Sequence, residues 1–265
     1  MIDVSQAVIG FFMMLGFMAL GLHVAVAMLL TSIIGVLSFM GSAPLASYGN
    51  QLWSFMNDFL LTSIPLFVLL GELLLRSGVT DRMYRTLSIW LAPLPGGLLH
   101  TNVGASSIFA AVSGSSVATA ATISTVALPE FRRRRYNERL VLGSIAAGAT
   151  LGILIPPSVN LIIFGALTNT SIGQLFVAGI IPGIGLTLLF MASIILIARL
   201  YPSTADSSNE VIPFSVKLLS LVHLLPPALM FFVTMGAIYF GWATPTEAAG
   251  VGVGLALTIA WAYRG

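Results

Sequence analysis

The chain has 265 residues, of which 57% are hydrophobic and 8% charged. A water-soluble domain carries roughly 25% charged residues, so lipid is the solvent for most of this surface. The net charge of +2 offers no basic face for nucleic acid, and the absence of cysteine excludes disulfides, zinc–thiolate sites and thiol catalysis.

The N-terminal stretch MIDVSQAVIG has no basic segment and no small-residue cleavage site, so it reads as the start of a membrane helix and not as a signal peptide. Residues 5–40 are nearly all apolar, too long for one crossing and short for two. Gly21-Leu22-His23 is placed as a tight turn between two short helices. Residues 41–52 are small, polar and turn-rich, and are expected to form a loop. Residues 58–75 form the next span, ending at Arg76. Residues 76–90 mix Arg76, Asp81, Arg82 and Arg85 with apolar residues, as in a helix lying at the membrane interface.

Residues 96–128 are rich in Gly, Ala, Ser and Thr, with Ser113-Gly114-Ser115-Ser116 at the centre. Breakers open the stretch (Pro93, Pro95, Gly96, Gly97), Pro129 is expected to close it, and the run Arg132–Arg135 follows. This pattern predicts two half-length helices meeting at the serines, a re-entrant hairpin that enters and leaves on one side. Residues 140–167 are the next span, broken over Gly152 to Pro157. A polar connection at 168–174 leads to a crossing over 175–198 that ends at Arg199. Residues 201–217 are the one clearly hydrophilic linker. Residues 218–241 cross, 242–247 turn and 248–262 cross again. Treating 96–128 as a hairpin puts every Lys and Arg on the cytoplasmic side, as positive-inside orientation requires. A weak repeat pairs GFMALG at 16–21 with GAIYFG at 236–241, and the orientation of the two copies suggests inversion.

Backbone that leaves helical geometry inside a bilayer survives only buried in protein or lining a wet cavity. Both breaks carry hydroxyls. Ser113, Gly114, Ser115 and Ser116, with Ser158 and Asn160 beyond the second break, are therefore candidates to hold a substrate. Pro156 and Pro157 remove two donors, which frees carbonyls among Gly152, Ile153 and Ile155 to serve a hard cation that prefers oxygen ligands. The competing interpretation is close helix packing at the serines and a kink at the prolines. Thr244 or Thr246 and Glu247 look like a helix start. Glu72 is placed to pair with Arg76, four residues on. His23, His100 and His223 look interfacial. No pair of histidines stands at metal-ligand spacing, and no phosphate-binding loop, zinc-protease helix or nucleophile elbow is present, so an enzyme is not expected.

Four stretches in order, FAAVSGSSVATAATI at 109–123, ALPEFRRRRY at 127–136, GATLGILIPPS at 148–158 and GWATPTEAA at 241–249, resemble the large, DctM-like membrane subunit of the TRAP (tripartite ATP-independent periplasmic) transporters. The resemblance implies an all-α integral membrane protein of the bacterial inner membrane, with an inverted-repeat, elevator-type transporter fold of the ion transporter superfamily. It implies scaffold helices and an arm over 1–92, a transport-domain hairpin and broken helix over 93–170, a returning helix and linker over 171–217, and the start of an incomplete second repeat over 218–265. It implies a sodium symporter for an organic acid, working with a small four-helix membrane subunit and a periplasmic solute-binding protein. A sodium site is implied between hairpin and break, at Ser113, Ser115, Ser116, Gly152, Ile155 and Pro156. The family continues through a second hairpin and broken helix, so this chain is expected to be a fragment or a truncated product. A carboxylate transporter working without a binding protein and a non-transporting scaffold subunit are the rival functions.

Overall fold

The computed structural model describes residues 4–134, 136–201 and 213–264. The described residues are helical, without strands, and divide into two compact units, 1–57 and 58–265.

In the first unit, α1 (Val4–Ala19) and α2 (Val24–Phe39) pack on one another and α3 (Ala43–Met56) follows. The expected turn is present: Gly21 adopts φ 83°, and the His23 ring accepts a hydrogen bond from the Ala25 N–H at 3.4 Å, capping α2. The expected loop at 41–52 is a correction, because from Ala43 onward it is helix. Pro44 in the first turn suits a helix start. Ser47 Oγ then donates to the Pro44 carbonyl at 2.9 Å and Gln51 donates to Ser47 at 3.2 Å, so the polar residues tie successive turns together.

The second unit runs through a 3₁₀ turn (Phe59–Thr62), α4 (Ser63–Arg76), α5 (Val79–Leu91), α6 (Leu98–Ser113), α7 (Ser116–Arg134), α8 (Glu138–Leu154), α9 (Val159–Thr168) and α10 (Ile172–Leu200). It continues after the undescribed 202–212 with α11 (Phe214–Ser220), a 3₁₀ turn (Leu221–Leu224), α12 (Leu225–Tyr239) and α13 (Pro245–Arg264). Most of the hydrophilic linker therefore lies outside the described residues, as does Arg135, and the tail of the linker is helical from Phe214. Among the described residues, four apolar helical stretches are long enough to cross a membrane: Phe59–Arg76, Glu138–Thr168, Ile172–Leu200 and Phe214–Tyr239.

Helix α6 is the centre of this unit. It is buried from Leu98 to Ser106 and again at Phe109, Ala110, Val112 and Ser113, and it packs against α4, α5, α7, α8, α10 and α12. Such burial demands partners for its polar side chains. Tyr84 of α5 donates to Asn102 Oδ1 at 2.7 Å, and Asn102 Nδ2 donates to Ser144 of α8 at 2.9 Å, joining three helices. His100 is fully buried and its Nε2 lies 2.8 Å from the Pro95 carbonyl.

Helix α7 does not close at Pro129 as expected but continues to Arg134. Glu130 holds Arg134 at 2.8 Å and Arg133 at 3.5 Å across the next turn. Phe131 is buried edge-on against the Tyr136 ring, centroids 4.9 Å apart. Together these hold helical geometry past the donor that proline lacks.

The two copies of the short repeat end their helices in the same way. Leu22 and Trp242 donate back to Phe17 and Ala237, and Gly21 and Gly241 donate to Met18 and Ile238. Both glycines have positive φ, 83° and 71°, the geometry of a Schellman end, which favours glycine. At the foot of α13, Thr244 and Glu247 form a reciprocal capping box: the Thr244 N–H and hydroxyl donate to Glu247 Oε2 at 2.8 Å each, and the Glu247 N–H donates to Thr244 Oγ1 at 3.3 Å. The Glu72–Arg76 pair also forms, at 2.6 Å.

Candidate functional site

The tip between α6 and α7 is built from local chemistry. Gly114 takes a left-handed conformation, φ 64°, that ends α6, and its N–H donates to the Ala110 carbonyl at 2.9 Å. Ser115 then starts α7. Its Oγ accepts from the Ala118 N–H at 3.3 Å, and its carbonyl accepts from the Thr119 N–H at 3.0 Å and the Thr119 hydroxyl at 2.7 Å. Buried Ser113 Oγ lies 3.3 Å from Thr119 Oγ1.

The break between α8 and α9 follows from two prolines. A helical carbonyl accepts from the N–H four residues on, and for Gly152 and Ile153 those residues are Pro156 and Pro157, which have none. The buried Ser158 hydroxyl substitutes for one lost donor, bonding the Ile153 carbonyl at 2.6 Å. Ile155 turns extended, ψ 124°, and Val159 opens α9.

Tip and break are joined. The Val159 N–H, an orphan donor at the start of α9, donates to the Gly114 carbonyl at 3.0 Å. A side chain at Gly114 would stand 2.5 Å from the Pro157 carbonyl oxygen. One at Gly152 would stand 2.8 Å from the Ser116 nitrogen and 3.0 Å from the Ser115 carbonyl oxygen. The C-terminal ends of α6 and α8 and the N-terminal ends of α7 and α9 therefore meet in one place. Helix C-termini favour cations and N-termini favour anions, so the junction offers both polarities without a charged side chain. No Asp, Glu, Lys, Arg or His occurs in 113–119 or 152–160, and among the described residues no cluster of three or more His, Cys, Asp or Glu could hold a metal. The oxygens present, main-chain carbonyls and serine hydroxyls, suit a hard cation of low charge.

Of the residues named from sequence, Gly114, Ser115 and Ser116 touch the break through Pro157, Val159 and Gly152, and Ser113 lies directly behind them. Pro156 is buried and Ile155 half-buried, and both line an apolar cavity of about 530 Å³ that also carries Ser107 and Thr187. Ser158 is occupied by the Ile153 carbonyl. Asn160 is exposed, and no hydrogen bond joins it to the tip. Two contributors escaped sequence reasoning. Thr119 stands four residues after Ser115, a helical spacing that could have revealed it. Gly71 of α4, alone in a leucine-rich helix, lets Ser113 approach so closely that a side chain there would stand 2.7 Å from the Ser113 Cβ.

Apolar spans and a site made from two interrupted helices define a polytopic membrane protein whose polar centre is main-chain rather than side-chain chemistry. The family model for the tripartite ATP-independent periplasmic transporter DctM component matches residues 11–265, and the chain belongs to that family. It is thus an inner-membrane protein. The chain is 32% identical over 245 residues to a C4-dicarboxylate TRAP transporter large permease protein of Vibrio cholerae, which covers 91% of this chain and 52% of the relative. It is 35% identical over 206 residues to a sialic acid TRAP transporter permease protein of Haemophilus influenzae, with 77% and 33% of the two chains covered. An ectoine TRAP transporter large permease protein of Halomonas elongata is 30% identical over 240 residues, with 89% and 55% covered. The chain spans about half the length, or less, of these curated relatives.

Proposed function

We propose that this chain forms part of the large permease of a sodium-coupled secondary transporter that imports an organic acid. A periplasmic binding protein delivers the substrate, and a small four-helix membrane subunit completes the assembly. The observation that carries the proposal is the junction itself, the Gly114 carbonyl bonded to the Val159 N–H with Gly152 pressed on Ser115 and Ser116.

Sodium is a transported substrate in this scheme. The freed Gly152 carbonyl, the carbonyl end of α6 and the Ser113 and Ser116 hydroxyls are its ligands. Its charge offsets the carbonyl ends that face one another, so ion binding stiffens tip against break. The N-terminal ends of α7 and α9, with hydroxyls of the tip, then accept the substrate carboxylate. The hairpin and broken helix move together across the membrane as an elevator, which requires that they stay joined. Relatives named for C4-dicarboxylates and sialic acid support an acidic solute, and the relative named for ectoine extends the range to a zwitterion. The chemistry is binding and movement, with no covalent step.

Uptake by the assembled transporter, measured against external sodium, tests this. Ser116→Ala is expected to raise the sodium concentration for half-maximal uptake while membrane assembly is retained. Sodium dependence unchanged in Ser113→Ala and Ser116→Ala would remove these residues from the ion site. Uptake without any binding protein would replace the tripartite reading with a stand-alone transporter.

A further inference from the structure

Two helical faces that the transport reading leaves unused line a second cavity, apolar along its walls and basic at one side. On α5 the face is Arg82, Arg85, Thr86 and Ile89. Opposite it, on α11 and the 3₁₀ turn, are Val216, Leu219, Ser220 and His223. Both sets follow the i, i+3, i+4, i+7 spacing of a single helical stripe. They enclose about 430 Å³.

The floor is fixed: the Thr86 hydroxyl donates to the Ser220 carbonyl at 3.1 Å, and Trp90, one turn on, donates from Nε1 to the Lys217 carbonyl at 3.3 Å. Among the described residues neither Arg82 nor Arg85 has a carboxylate within salt-bridge distance, and no carboxylate lines the cavity. Arg82 is held instead over the Tyr263 ring, 4.6 Å from its centroid, a cation–π contact that keeps the guanidinium in place without neutralising it. The walls are apolar and run into lipid-grade surface, with Phe214 exposed at 70%, Leu218 at 58% and Leu219 at 76%. A half-exposed Trp beside unpaired Arg residues is the composition of a membrane interface, and positive-inside orientation puts this one in the cytoplasmic leaflet, where anionic lipid attracts basic groups.

We propose that this cavity holds the phosphodiester headgroup of an anionic phospholipid. Arg82, Arg85 and His223 face the phosphate, Thr86 and Ser220 form the floor, and an acyl chain lies along Val216 and Leu219. The lipid adds to the packing and the two hydrogen bonds that already join α5 to α11 and the 3₁₀ turn. A soluble phosphate would leave the apolar walls without a partner, and this favours lipid.

The test is native mass spectrometry of the purified, delipidated full chain in detergent, with phosphatidylglycerol and phosphatidylcholine added in turn. The protein is expected to retain one phosphatidylglycerol in preference to phosphatidylcholine. Each lost guanidinium weakens retention about fivefold, so Arg82→Gln with Arg85→Gln erases the preference. Arg82→Lys with Arg85→Lys keeps it, as does Arg199→Gln outside the cavity. Leu219→Asp, at an exposed position, sets a carboxylate in the wall and abolishes retention with both arginines intact. Undiminished phosphatidylglycerol binding in the double glutamine variant or in Leu219→Asp overturns the proposal. So does its displacement by millimolar inorganic phosphate at constant ionic strength, which would assign the cavity to a soluble anion.

Discussion

Gly152→Ala is the sharpest perturbation of the junction, because the atoms that a methyl group would meet are main chain. The new carbon would stand 2.8 Å from the Ser116 nitrogen, 2.9 Å from the Ser115 carbonyl carbon and 3.0 Å from its oxygen. No side-chain rotation relieves such contacts, so either tip or break must shift. Overpacking of this kind costs about 1–3 kcal/mol. Alanine also gains about 1 kcal/mol over glycine in a helix, which partly hides the clash. Gly143 supplies the control: it lies on the same helix, and a methyl group there meets nothing within 4 Å. The propensity gain is common to both variants, so the difference between Gly143→Ala and Gly152→Ala isolates the contact at about 1–3 kcal/mol. Equilibrium unfolding in detergent measures it. Gly143→Ala should be stabilised and Gly152→Ala neutral to destabilised by up to about 2 kcal/mol. Equal stability of the two variants would refute the close approach of tip and break.

Ser158→Ala takes the donor from the Ile153 carbonyl and should destabilise by about 0.5–1.5 kcal/mol, with faster exchange of amides in 155–162. Asn102→Leu removes the group that bridges Tyr84 and Ser144. It should cost about 1–3 kcal/mol for each partner left unsatisfied, and adding Tyr84→Phe should recover part of that loss in an unfolding assay. At the foot of α13, ahead of the apolar run, hydrogen bonds from the Thr244 N–H and then its hydroxyl hold the Glu247 carboxyl below its usual pKa. A depressed folded value means that the stabilisation is full above the ordinary carboxylate range, about 4.3, and is lost as pH falls through the lower folded value. Thr244→Ala removes the hydroxyl bond and keeps the N–H bond, so it should partly flatten the acid limb of the stability profile, and an unchanged limb would leave the depression to the main-chain bond alone.

Much of this architecture was legible because its signals are local. Gly114 between serines ends one helix and starts the next, and Pro156-Pro157 deletes two donors whatever surrounds them. The GFMALG and GAIYFG stretches form the same helix ends because a left-handed glycine dictates the bonding around it. The misreadings have two causes, neighbours distant in sequence and side chains spaced at a turn. Residues 41–52 look like a loop by composition, yet Ser47 and Gln51 bond along a helix. Pro129 looks like a terminator, yet Glu130, Phe131 and Tyr136 carry helix beyond it. The pairing of Gly71 with Ser113, and the bond from Ser158 to the Ile153 carbonyl, required the packed structure.

Amide hydrogen exchange over 113–119 and 155–162 in the assembled permease, with sodium and with potassium at equal ionic strength, tests the central claim most directly. One shared, oxygen-lined site bridging α6–α7 and α8–α9 predicts that Val159 is protected in both salts and that sodium alone slows both segments together. Rapid exchange at Val159, or segments that respond to sodium separately or not at all, would contradict it.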